Sequence, residues 1–225
     1  MADIGDQLHN VWAAISANIR GRGANVMFIS ANASDGCDDI ACAFAKLAAK
    51  RAAKPVLLLD LDFVNNNQYH KLGGGKFKWQ GPFDLSMSVK PFWRLIPHRR
   101  ENADTEKKLL VGYRVGNSKL FVSRLRQEKV EEAQSIQIGP NINYWNSLKG
   151  AFELNIVDAP PLEYSAAGLA IVSDMDAVIL VIDADADPES AIELRDNIHK
   201  RGGNIIGVIM VENNQSQNKR VAGAA

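Results

Sequence analysis

"NVMFISANASDGCDDIACAFAKLAAK", residues 25–50, reads as a buried strand, a short turn and a helix, the order that builds a phosphate-binding loop. The strand is the apolar run Val26 to Ile29, and the helix runs from Asp38 to Arg51. A working loop of this kind needs glycines whose backbone N–H groups cradle phosphate, a lysine to neutralise it and a Ser or Thr hydroxyl for Mg²⁺. This one keeps Gly36 and has no lysine.

Outward from the loop, apolar runs recur at Val56 to Leu59, Leu120 to Val122, Leu154 to Val157, Ala177 to Ile182 and Ile205 to Val211. Continuous runs of this length suit strands covered on both faces. Helical stretches alternate with them at Tyr144 to Phe152, Ser165 to Val172 and Ser190 to Arg201. Near the N-terminus Ile4, Leu8, Val11, Trp12, Ile15 and Ile19 recur at three- and four-residue steps before Gly21 and Gly23. The alternation predicts an α/β fold, a doubly wound, mostly parallel sheet with helices on both faces. A chain of 225 residues fits one such domain. Its expected extent is residues 1–214, with an N-terminal helix over 4–20 and a long insertion or loop over 65–117. A disordered tail is expected over 215–225.

Lysine plus arginine balances aspartate plus glutamate at 26 each, so nothing global draws the chain to nucleic acid or an anionic membrane. Cys37 and Cys42 lie five apart on one helix, poor geometry for a disulfide and too few ligands for zinc. Both are expected as reduced thiols. No apolar run reaches the roughly 18 residues that span a bilayer, and no signal-peptide pattern opens the chain. The expected location is cytoplasmic, with peripheral attachment to the inner membrane only through a partner.

Three motifs sharpen this reading. A loop of the form Ser-x-x-Pro-Gly-Glu-Gly-Lys-Ser/Thr falls on Ser30 to Asp38, with Ala33, Ser34, Cys37 and Asp38 in place of the proline, a glycine, the lysine and the hydroxyl residue. A strand ending Asp-x-Asp-x-Arg falls on "LLLDLD", Leu57 to Asp62, with Val64 in the arginine position. A strand ending Asp-x-Pro-Pro falls without departure on "NIVDAPP", Asn155 to Pro161. With these motifs the chain resembles the bacterial tyrosine kinases of capsule and exopolysaccharide synthesis, the CpsD/CapB type and the cytoplasmic domain of Wzc, relatives of the MinD/ParA ATPases in the P-loop superfamily. The resemblance covers about residues 7–214.

The resemblance implies a P-loop NTPase-like fold and places a degenerate phosphate loop on Ser30, Ser34, Asp35, Gly36, Cys37, Asp38 and Asp39. It marks Asp60, Asp62 and Asp158 as vestigial catalytic carboxylates, and Asp38, Asp60 and Asp158 as a weak set of metal ligands. Cys37 is neutral, and Asp35, Asp38 and Asp39 bring negative charge where a triphosphate would lie. Asp38 and Asp39 are expected to satisfy the helix end themselves. The family's Glu-x-x-Arg-x-x-Arg ring motif meets only Asn10, Ala13 and Ser16, and the tail "NNQSQNKRVAGAA" lacks the tyrosines that the kinases phosphorylate.

The expectation is therefore a pseudo-kinase that needs no cofactor. It would serve as a cytosolic scaffold for polysaccharide polymerisation and export, docked on a Wzc/Wzz-like membrane co-polymerase and open to homo-oligomer formation. Two alternatives stay open: an unorthodox ATP-binding protein or tyrosine kinase using Mg-ATP, and a MinD/ParA-like positioning or DNA-associated protein. Nucleic acid is not an expected partner. The partner surface is expected in a segment mixing basic and aromatic residues: Lys76, Lys78, Trp79, Phe92, Trp93, Arg94, Arg99 and Arg100.

Overall fold

The computed structural model describes residues 3–18, 22–73, 79–97, 106 and 108–212. Among the described residues ten strands run in chain order: β1 (Ala24–Ser30), β2 (Val56–Asp60), β3 (Trp79–Asp84), β4 (Trp93–Ile96) and β5 (Leu110–Val115), then β6 (Leu120–Leu125), β7 (Ser135–Ile138), β8 (Leu154–Asp158), β9 (Ala177–Asp183) and β10 (Ile205–Val211). The α-helices are α1 (Ile4–Asn18), α2 (Cys37–Arg51), α3 (Asn67–Gly73), α4 (Ile142–Ala151), α5 (Ala167–Ile171) and α6 (Pro188–Lys200).

Eight strands form one sheet in the order β10-β9-β1-β8-β2-β6-β5-β3. The six from β10 to β6 are parallel, and β5 and β3 extend them antiparallel. The central parallel strands β1, β2, β8 and β9 are buried along nearly their whole length because both faces are covered. Val26 and Phe28 point to the side of α1, α2 and α3, where Phe28 meets Phe44 at a ring separation of 5.1 Å. Met27 and Ile29 point to the side of α4, α5 and α6. The fold class is the doubly wound α/β sheet that the sequence predicts.

Residues 65–117 carry regular structure: within them lie α3, β3, β4 and β5. Of these, β4 leaves the main sheet and pairs antiparallel with β7 as a two-stranded ribbon. Its alternation buries Trp93 and Leu95 and exposes Arg94 and Ile96.

Here the expected partner surface must be corrected. Phe92 and Trp93 are each 2% exposed, because the ribbon closes over α4: Phe92 packs against Tyr144 and Trp145 at centroid separations of 5.0 and 4.7 Å, and Trp93 against Tyr144 at 5.6 Å. They are core side chains. Trp79 is half-buried and stacks on Tyr69 at 4.9 Å, while exposed Arg94 hydrogen-bonds the Gln137 side chain across the ribbon. Lys76, Lys78, Arg99, Arg100 and the tail 215–225 lie outside the described residues. No helix among the described residues is long and apolar enough to cross a membrane.

Candidate functional site

The site gathers at the carboxyl ends of β1, β2 and β8, where an open α/β sheet binds ligands. After β1 the chain makes a 3-10 turn at Ala33–Asp35, and Gly36 enters α2 at a φ of 67°. That left-handed backbone favours glycine, so Gly36 persists although the loop's other glycine position holds Ser34.

The loop is filled by its own chain. Asp35 is buried, and its carboxylate accepts the N–H of Asn32 at 2.9 Å and the N–H of Asp183 at 3.2 Å. The Glu163 carboxylate, just beyond Pro160 and Pro161, accepts the Ala33 N–H. The buried Ser30 hydroxyl donates to the Asn32 carbonyl at 3.0 Å, and Ser34 faces solvent. Two loop amides of the sort that would hold phosphate oxygens are thus committed to carboxylates.

At the start of α2, one Asp38 oxygen accepts the Asp39 N–H at 2.9 Å, so Asp38 satisfies a helix-end amide as expected. Gly36, at the N-cap position, has no side chain to add a cap of its own. Both aspartates also meet Lys71 of α3, which donates to Asp39 at 2.6 Å and to the other oxygen of Asp38.

Asp60 and Asp158 end adjacent parallel strands and stand opposite one another in register. Asp60 accepts from the N–H groups of Asp62 at 2.8 Å and Gln68 at 2.9 Å. Burial is the largest influence on it, and its carboxyl is pushed up to about 7. Asp158 is 5% exposed; one oxygen accepts from the Gln68 side-chain amide at 2.6 Å and the other finds no hydrogen-bond partner. Burial first and the Asp60 charge second push Asp158 well above the usual carboxylate range. The same Gln68 amide donates to the Asp38 carbonyl at 2.7 Å, tying the loop to both strand ends. Asp62 accepts from the Asn65 backbone and from the side chains of Asn65 and Asn67, which organises the turn into α3.

Asp38, Asp60 and Asp158 do not make the expected metal set. Among the described residues no three or more His, Cys, Asp or Glu side chains converge as ligands. Each of the three carboxylates is oriented by a different partner: Lys71, two backbone amides and Gln68.

Cys37 and Cys42 are free and buried. Burial pushes the Cys37 thiol well up, and Asp158, Asp38 and Asp35 add to the rise. A thiol held protonated and covered is a poor nucleophile. Native protein is therefore expected to react slowly with a thiol-specific disulfide reagent at Cys37, with prompt reaction of both thiols after unfolding. A fast native phase lost in Cys37→Ala would show the thiol to be accessible.

A cleft of about 1050 Å³ joins part of this constellation. Cys37, Asp38, Asp60, Asp62 and Asp158 line it together with Ala33, whereas Ser30, Ser34, Asp35, Gly36 and Asp39 do not. Its far wall includes Ile136 and Ile138 of β7, and Pro160, Pro161 and Tyr164 flank the β8 end. Sequence reasoning missed the roles of Gln68 and Glu163 and the pairing of Lys71, since none belongs to a motif. The residues do not fit Mg-ATP: the lysine and hydroxyl positions hold Cys37 and Asp38, and loop amides already serve carboxylates.

No protein-family model and no curated protein sequence matches the chain. Solved structures do. The kinase domain of the Escherichia coli tyrosine kinase ETK superposes with a TM-score of 0.56 at 13% identity, over 91% of this chain and 74% of that one. The chimerical protein CapA2B2 gives 0.62 at 16% identity, over 94% and 87%. The VpsO kinase domain gives 0.51 at 16% identity, over 95% and 100%. At these identities the fold is what is shared: the chain has the α/β fold of these domains, the ETK tyrosine kinase domain among them.

Proposed function

We propose that this chain, folded as a bacterial tyrosine kinase domain, is a nucleotide-independent pseudo-kinase. In this reading it is a scaffold or regulator of capsule or exopolysaccharide polymerisation and export, acting through contact with a membrane co-polymerase of the Wzc/Wzz type rather than by phosphoryl transfer. One observation carries the loss of nucleotide chemistry: the phosphate loop's amides at Asn32 and Ala33 are held by the chain's own Asp35 and Glu163. A triphosphate would have to displace both carboxylates and then lie beside Asp38, Asp60 and Asp158 without the charge of a loop lysine.

Lys71 is the observation that favours an ATP-binding alternative, because it places a cation near the α2 N-terminus. Its charge is met by two carboxylates, Asp38 and Asp39, so the local balance stays negative.

Calorimetric titration with Mg-ATP and Mg-ADP tests the reading. No heat is expected at millimolar nucleotide, either for the unaltered chain or for Cys37→Lys, Asp38→Ser, since that pair leaves Asp35 and Glu163 in place. Micromolar binding by the unaltered chain would overturn it. In the organism that encodes the chain, deleting its gene is expected to reduce exported polymer, and unchanged export would remove the polysaccharide role.

A further inference from the structure

We propose that the cleft beside the loop binds an organic cation, a guanidinium or primary ammonium group carried on a short aliphatic stem. Four aspartates line it, Asp38, Asp60, Asp62 and Asp158, and its lining contains no lysine, arginine or histidine. Lys71 stands outside the lining and is engaged with Asp38 and Asp39.

An acidic lining alone would call for no ligand, but the floor also carries an unmet acceptor. Asp158 is nine-tenths buried or more, lines the cleft, and leaves one carboxyl oxygen without a partner. Gln68, which holds the other oxygen, leaves its own Oε1 unpartnered and buried as well. A buried acceptor without a donor costs free energy, and a charged N–H donor recovers more of that cost than a neutral one.

The walls select an organic cation over a metal ion. No three ligating side chains converge among the described residues, so a bare divalent ion would lack a coordination shell. Apolar surface from Ile136, Ile138, Pro160, Pro161, Ala167 and Ala170 would cover methylene groups instead. Tyr164 and Val64 line the mouth and are 73% and 75% exposed. An aromatic face open to solvent at the entrance of an acidic cleft is suited to stack on a cation or its stem.

This inference rests on the reading that the cleft has given up nucleotide, and the two can fail separately. The full chain is titrated calorimetrically at mildly alkaline pH with agmatine, whose guanidinium and ammonium groups share a butyl stem. Parallel arms use an end-capped peptide containing one arginine, and Mg-ATP. Saturable one-to-one binding of agmatine or the peptide is expected, about tenfold or more weaker in Asp158→Asn. Tyr164→Ala is expected to weaken it about threefold without threatening the fold, because that side chain is exposed. Peptide binding much tighter than agmatine binding assigns the cation to a protein partner; the reverse order assigns it to a small molecule. Absence of saturable binding by both cations at millimolar concentration overturns the inference and leaves the pseudo-kinase reading standing. Binding unchanged in both variants overturns the site, and micromolar Mg-ATP binding overturns both readings.

Discussion

Trp93→Ala is expected to destabilise the protein by about 3–5 kcal/mol, the range for deleting a large aromatic from a packed core. Total stabilities are typically about 5–15 kcal/mol, so this change alone takes the chain toward unfolding. The ring is 2% exposed and stands edge-on to Phe92 at 4.9 Å and to Tyr144 at 5.6 Å. Its indole N–H donates to the Glu106 carbonyl at 3.3 Å, a bond that alanine removes. Arg94→Ala, next in sequence but exposed, is expected to stay within about 0.5 kcal/mol. Urea denaturation of the two variants decides the matter. A loss below about 1 kcal/mol for Trp93→Ala would return this tryptophan to the surface role expected of it from sequence.

The contrast shows where the sequence is readable. Central strands announce themselves: Val26 to Ile29, Val56 to Leu59 and Ala177 to Ile182 are apolar on both faces because helices cover both, and each falls inside β1, β2 or β9. The antiparallel extension is quieter. β3 is an edge strand whose residues from Gln80 to Asp84 are exposed and include Pro82, so it lacks the apolar run of a buried strand. The β4–β7 ribbon is four residues long on each side, too short for periodicity to register. Phe92 and Trp93, flanked by Lys90 and Arg94, therefore looked like parts of an interface.

The site divides along the same line. Residues on strand ends and the loop, Asp60, Asp158, Cys37 and Asp38, are legible because a motif fixes their place, and the cleft brings them together. Asp35 was legible only as a loop residue; its burial and its reach to Asp183 depend on β9 standing beside β1. Glu163 and Gln68 act from segments distant in sequence from their targets, 130 residues from Ala33 and 90 from Asp158. No local pattern encodes such contacts. They exist only once the sheet order sets β1, β8 and β2 side by side.

The second large effect is on stability against pH. A carboxyl whose folded pKa is raised keeps its proton longer in the native state than in the unfolded chain, so native protein binds more protons between the two values and stability falls as pH rises through that window. Asp60 rises from an ordinary 3.8 to about 7, which is on the order of 4 kcal/mol lost between mild acid and mild alkali. Asp158 is raised in the same direction by burial and by Asp60, which carries the loss to higher pH. Asp158→Asn is therefore expected to match the parent near pH 4 and to become progressively the more stable protein as pH rises above that, through the window between the unfolded and the folded value of Asp158. An amide at this position also brings a donor beside the Gln68 side chain, whose Oε1 is unpartnered. The exposed Glu128, lowered by its pairing with Arg124, contributes equally to both proteins and drops out of the difference. Urea midpoints of parent and variant across about pH 4 to 9 measure it. A gap that widens with pH supports the buried carboxyl pair, and a gap that is flat or closes upward would mean that Asp158 ionises as freely in the fold as in the unfolded chain.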